Sequence, residues 1–135
     1  MIPFNRPLII GNEISLIKDC ISRGWISGRG HYTKEVEALL KCQLNCTGNI
    51  LLTTSCTHSL ELSAILLNLM PGDEVIVPSF TFVSSALAFY MHGANIVFSD
   101  IRKDTLNIDE SNLENLITCR TKAICVVHSA GVACE

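Results

Sequence analysis

Four short apolar runs, Asn49 to Thr53, Glu74 to Val77, Asn95 to Ser99 and Ala123 to Val127, alternate with segments of helical character after Gly48. Each run reads as a buried strand. The helical segments lie at about Thr57 to Leu69, Phe82 to His92 and Glu110 to Ile117, punctuated by Pro71-Gly72-Asp73, by Gly93 and by a capping Asp109. The order β-α-β-α-β-α-β predicts an α/β fold with a mostly parallel sheet and helices on both faces. Parallel neighbours need a crossover, and the crossover helix has to pack on the sheet.

Ahead of this pattern, Ile14, Ile17 and Ile21 recur at helical spacing between Glu13 and Arg23, and Gly24 supplies a stop. Three glycines in the seven residues Gly24 to Gly30 predict an irregular loop. A second helix is expected from Thr33, with Val36, Leu39, Leu40 and Leu44 on one face. Residues 1–47 are therefore read as helices and a glycine-rich loop, and residues 48–135 as a single α/β region.

With 135 residues, 48% of them hydrophobic and 17% charged, the chain is long and apolar enough for one packed core. A net charge of −3 without a Lys/Arg block gives no electrostatic footprint for nucleic acid or an anionic membrane surface. The apolar runs are too short or too interrupted to span a bilayer. The first residues resemble neither a secretory leader nor a transit peptide, so a cytoplasmic location is expected. Seven cysteines are an odd number for a disulfide framework, and reduced thiols are expected. A metal set could be assembled from Cys119, Cys125, His128 and Cys134, but no short paired-Cys spacing supports it and no metal is expected.

In open sheets of this kind ligands gather beyond the carboxyl ends of the strands. The first such end, Thr54-Ser55-Cys56-Thr57, runs directly into a helix, where free N–H groups and the helix dipole favour a phosphate or carboxylate. Ordinary capping by Ser55 or Thr57 explains the same residues. No glycine-rich dinucleotide fingerprint and no P-loop lysine motif is present. The second end, Pro78 to Phe82, carries Phe80 and Phe82, which either stack on a planar heterocycle or join the core. Cys56 with His58 or His128 as base suggests a thiol nucleophile, but His58 two positions along a helix points away from Cys56. Asp100 is read as a solvated carboxylate. His128 lies either under a ligand or in the interior, and Trp25 either anchors its loop or lines a pocket.

Several segments together carry a signature: Ile2-Pro3-Phe4-Asn5-Arg6-Pro7, Gly24-Trp25-Ile26-Ser27-Gly28, Leu51 to Ser59, Pro71 to Val83, Val127-His128 and the ending Ala130 to Glu135. They resemble the DegT/StrS family of nucleotide-sugar aminotransferases. The resemblance covers essentially the whole chain. It implies the first part of an aspartate-aminotransferase-like (fold type I) large domain that binds pyridoxal 5'-phosphate. Ser55, Cys56 and Thr57 would cradle the cofactor phosphate, Phe82 would stack on its ring, and Ser27 and Gly28 would face the sugar nucleotide. His128 matches a family histidine near the cofactor, with Ser129 in place of the usual aromatic beside it.

The implied reaction moves an amino group, from glutamate, to a 4-keto-6-deoxy dTDP-sugar for enterobacterial surface polysaccharide, in a homodimer. The family's acidic partner of the pyridine nitrogen and its cofactor-binding lysine lie further along than Glu135. None of Lys18, Lys34, Lys41, Lys103 and Lys122 sits in a motif like that lysine segment. The expectation is therefore a chain without catalytic residues of its own, inactive alone, poorly soluble or loosely packed, and weak in cofactor binding. The alternatives are an inactive truncated fragment and a small α/β module that binds a phosphorylated ligand.

Overall fold

The computed structural model describes Pro3 and residues 6–135. Ile2, Phe4 and Asn5 of the opening motif lie outside the described residues. The chain divides into two compact units, Met1–Leu52 and Thr53–Glu135.

The first unit holds α1 (Glu13–Ser22) and α2 (His31–Gln43). The Glu13 carboxylate accepts from the Ile10 and Gly11 amides at 2.8 and 2.9 Å, satisfying donors ahead of the first turn. Gly24, in the left-handed region at φ +68°, closes α1, as its sequence position predicts. Tyr32 Oη donates to Asp19 Oδ2 at 2.7 Å and ties α2 to α1. Neither helix has a buried residue, and the face of Ile14, Ile17 and Ile21 is exposed.

The second unit runs α3 (Cys56–Leu66), β1 (Glu74–Pro78), α4 (Ser84–Tyr90), β2 (Asn95–Ser99), α5 (Leu113–Leu116) and β3 (Thr121–Ile124). The strands form one parallel sheet in the order β2-β1-β3. Glu74 pairs with Asn95 through to Pro78 with Ser99, and Ile76 pairs with Ile124 on the other side. All five residues of β1 are buried, so both faces of the central strand are covered. Val75 and Val77 pack with Ala64, Leu69, Phe89 and Ala94 in the core, and Ile76, pointing to the opposite face, is fully buried as well. A parallel sheet with its helices is the architecture the strand and helix alternation predicts.

The turn after α4 depends on Gly93 at φ +93°, where the Ala94 amide reaches back to Phe89 O and the Gly93 amide to Tyr90 O. A side chain at Gly93 would also meet Pro71 N at 3.4 Å.

Three expectations change. Asn49 to Thr53 forms no strand: it has no regular secondary structure and no ladder partner, and Leu51 and Leu52 are exposed. The run takes part in neither ladder of the sheet, and a strand without a ladder has nothing to hold it. The described order is thus three helices before the first strand. Second, Phe82 precedes α4, which begins at Ser84. Third, the predicted helix from Glu110 to Ile117 is a 3-10 turn, Glu110–Asn112, followed by the single turn of α5. Asp109 caps it as expected, its Oδ1 accepting from the Ser111 amide at 3.1 Å. No helix among the described residues is long and apolar enough to cross a membrane.

Candidate functional site

The residues Thr53 to Thr57 change from extended chain to helix within one turn. Ser55 is the N-cap of α3, extended at φ −159°, and its Oγ accepts from the His58 amide at 3.2 Å. Thr53 Oγ1 donates to Ser55 O at 2.8 Å and shares a hydrogen bond with Ser59 Oγ, which fixes the approach. The cap satisfies His58 N, while the Cys56 and Thr57 amides, at the first two positions, can have no partner inside the helix. Two donors at the positive end of an 11-residue helix therefore remain for an anion.

Cys56 and Thr57 line a hollow of about 440 Å³ together with Thr81, Phe82, Cys125 and His128. A second hollow shares Thr81, Phe82, Val127 and His128 with it and adds Phe80, Ser129 and Ala130. The sheet brings these residues together: Ser79 N donates to Ser99 O just past β1, and Cys125 N donates to Ile76 O just past β3. The chain then leaves both strands on the same side, with Phe82 from one and His128 from the other. Ser55, Cys56, Thr57, Phe82 and His128 thus occupy one region of the second unit.

Phe80 and Phe82 do not join the core; Phe82 keeps 73% of its surface exposed. Nor is His128 an interior residue, since it is exposed, with Nδ1 accepting from the Cys134 amide at 3.1 Å. That bond places the proton of the neutral ring on Nε2. His58 Nδ1 is engaged by Thr54 Oγ1, so it does not serve Cys56 as a base. Burial pushes the Cys125 thiol above its ordinary value, and the neighbouring Cys56 adds to the effect. Cys134 Sγ meets Val127 O at 3.3 Å, and among the described residues no cluster of His, Cys, Asp and Glu is placed to hold a metal. Asp100 is exposed and accepts from the Ile101 amide, as a solvated carboxylate does.

Sequence reasoning missed Ser85 and Cys125 as lining residues. The i,i+4 relation of Thr81 and Ser85, whose hydroxyls bond at 2.7 Å, and the shared parity of Cys125 and Val127 were the available signals. The lining of the two hollows contains no lysine and no carboxylate.

Ser27 and Gly28 lie exposed in the glycine-rich loop of the first unit. Trp25 anchors that loop, its Nε1 donating to Gly28 O at 3.2 Å, and a Cβ on Gly30 would stand 3.0 Å from its ring. Trp25, Arg29, His31 and Lys34 border a smaller hollow at the start of α2.

The family described as DegT/DnrJ/EryC1/StrS aminotransferase matches residues 7–135. GDP-perosamine synthase of Vibrio cholerae is 36% identical over 100% of this chain and 36% of its own length. Among solved structures, Spr1654 of Streptococcus pneumoniae, described as a sugar aminotransferase and solved in its PMP form, superposes with a TM-score of 0.91 at 39% identity. That superposition covers 100% of this chain and 33% of Spr1654. The aminotransferase TlmJ of Streptoalloteichus hindustanus gives a TM-score of 0.79 at 34% identity, over 92% of this chain and 34% of TlmJ. The chain spans about a third of the length of these relatives.

Proposed function

This chain belongs to the DegT/DnrJ/EryC1/StrS aminotransferase family, and from that premise we propose that its second unit is the phosphate- and ring-holding part of a pyridoxal 5'-phosphate site in a nucleotide-sugar aminotransferase. The observation that carries this reading is the single hollow onto which the uncapped amides of α3, the exposed Phe82 ring and His128 open. The residues fit the group. Cys56 and Thr57 amides suit a phosphate dianion, a solvent-facing aromatic suits a flat heterocycle, and the Nε2–H of His128 suits an acceptor on its rim.

When bound, the cofactor supplies the electron sink that amino transfer requires. The chain's own residues bind its anionic end, keep its ring in one plane and place a proton donor at its edge. With no amine or carboxylate in the lining, the groups that protonate the ring nitrogen and carry the reacting proton reach the hollow from outside it. The amino group comes from glutamate, the acceptor is the keto carbon of a dTDP-linked 4-keto-6-deoxy sugar used for surface polysaccharide, and the working enzyme is a homodimer. A GDP-linked sugar is the second reading, favoured by the relative named GDP-perosamine synthase. In either case Trp25, Arg29 and Lys34 offer an aromatic face and two cations to a nucleoside diphosphate, beside Ser27 and Gly28.

Titrating the 135-residue chain with pyridoxal 5'-phosphate and following the cofactor's induced circular dichroism tests the site. Saturable binding, competed by inorganic phosphate, is expected, and a flat titration overturns the reading. Amination of dTDP- and GDP-linked 4-keto-6-deoxyhexoses with glutamate, by a polypeptide that contains these residues, then selects the nucleotide. Product from neither sugar overturns the substrate class.

A further inference from the structure

We propose that Asn107, outside the hollow, is the positioning residue that sets the orientation and tautomer of His128; the inference rests on the cofactor reading of that hollow. Asn107 is 2% exposed, and its amide is fully engaged by one distant segment. Its Oδ1 accepts from the Ser129 amide at 2.8 Å, and its Nδ2 donates to Val132 O at 3.0 Å and Ala133 O at 3.1 Å. These three bonds straddle the 3-10 turn Ser129–Gly131 that follows His128. They hold it at its first residue and again just beyond its last.

The next residue after the clamp, Cys134, donates its amide to His128 Nδ1. Fixing Val132 and Ala133 therefore presents that N–H to the imidazole, and the neutral ring keeps its proton on Nε2. The strain in both partners is of the kind that persists only where surroundings over-determine it. Leu106, beside Asn107, and Ala130, inside the turn, are non-glycine residues in the left-handed region at φ +62° and +50°.

Only a neutral amide satisfies the geometry. An aspartate keeps the acceptor for Ser129 N but sets a carboxylate against two carbonyl oxygens, and alanine removes the donor shared by Val132 O and Ala133 O and leaves Ser129 N with Val127 O alone. Asn107 is itself held from behind. Arg102 N donates to Asn107 O at 2.9 Å, and Ile101 bridges to the buried Ile108. The segment after β2 is in this way a rigid support for the segment after β3.

The test is the nitrogen-15 spectrum of His128 in the unaltered chain, in Asn107→Asp and in Glu74→Gln. The last variant loosens the opposite end of β1 and controls for general destabilisation. Expected is a single Nε2–H tautomer for His128 in the unaltered chain and in Glu74→Gln, and a tautomer mixture in Asn107→Asp. Affinity for pyridoxal 5'-phosphate should fall about tenfold in Asn107→Asp alone. An unchanged His128 spectrum in Asn107→Asp overturns the assignment. If that variant does not fold, hydrogen exchange of the Asn107 side-chain amide in the unaltered chain decides: exchange of its Nδ2 protons about tenfold slower than that of exposed asparagine side chains supports the clamp, and exchange at the exposed rate overturns it. A chain that binds no cofactor refutes the cofactor reading, whereas the His128 spectrum judges Asn107 independently.

Discussion

Phe82 is an aromatic ring left 73% exposed at the mouth of a hollow, where a core role would have buried it. Because little of its surface is buried on folding, Phe82→Ala should change stability by no more than about 0.5 kcal/mol, measured by urea unfolding. The same substitution should weaken pyridoxal 5'-phosphate binding about tenfold if the ring stacks on the cofactor. A large stability loss with unchanged binding would place Phe82 in the core after all. The two thiols of the hollow separate by accessibility: Cys56 is exposed, whereas Cys125 is half-buried and its thiol is raised by that burial. Iodoacetamide at pH 8 should modify Cys56 before Cys125, and bound cofactor or phosphate should slow the first reaction; peptide mapping reads both. The cap at Ser55 was legible in the sequence because a cap works over three residues. Asn107 was not, because its partners lie 22 to 26 residues away and nothing local marks them.

The start of α3 shows how an element converts a short motif into a site. Ser55→Ala removes the acceptor for His58 N and should cost ~1 kcal/mol in chemical denaturation, with weaker phosphate competition at the same helix end. The start of β1 is governed by a different balance. Thr118 Oγ1 and then the Arg120 guanidinium hydrogen-bond the buried Glu74 side chain and hold its carboxyl below the ordinary 4.5. A carboxyl lowered on folding adds stability that is fully present above its unfolded value and is lost as pH falls through the folded one. Melting temperature should therefore drop from about pH 4.5 downward, and Glu74→Gln should flatten that part of the profile while lowering stability at neutral pH. If the two profiles stay parallel, Glu74 is not the titrating group. Element type was readable wherever the apolar period was sustained, as in α1, α2, β1 and β2. It failed at Asn49 to Thr53, where an apolar run that joins no ladder was read as a strand, and at Glu110 to Ile117, where only one α-helical turn forms.

Across the second unit, the parallel direction of the strands followed from alternation alone, but the order β2-β1-β3 and the degree of cover on the sheet did not. Every residue of β1 is buried, whereas β2 and β3 each offer one unpaired side among the described residues. Phe98 on β2 is 59% exposed, and it borders an apolar groove with Val83, Leu87, Tyr90 and Ile96. Ile124 on β3 and Val126 just beyond it are 37% and 49% exposed. Free ladder donors and acceptors next to apolar side chains invite edge-to-edge pairing, and a lysine on an edge strand opposes it through charge and hydration. The isolated 135-residue chain should therefore self-associate as concentration rises, seen as growth in light-scattering mass. Phe98→Lys and Ile124→Lys should each reduce that growth, with little change in melting temperature because neither side chain is fully buried. The size of each response reports which edge drives association. A chain that stays monomeric at every concentration, with or without these lysines, would show that the apolar edges are already covered within the fold.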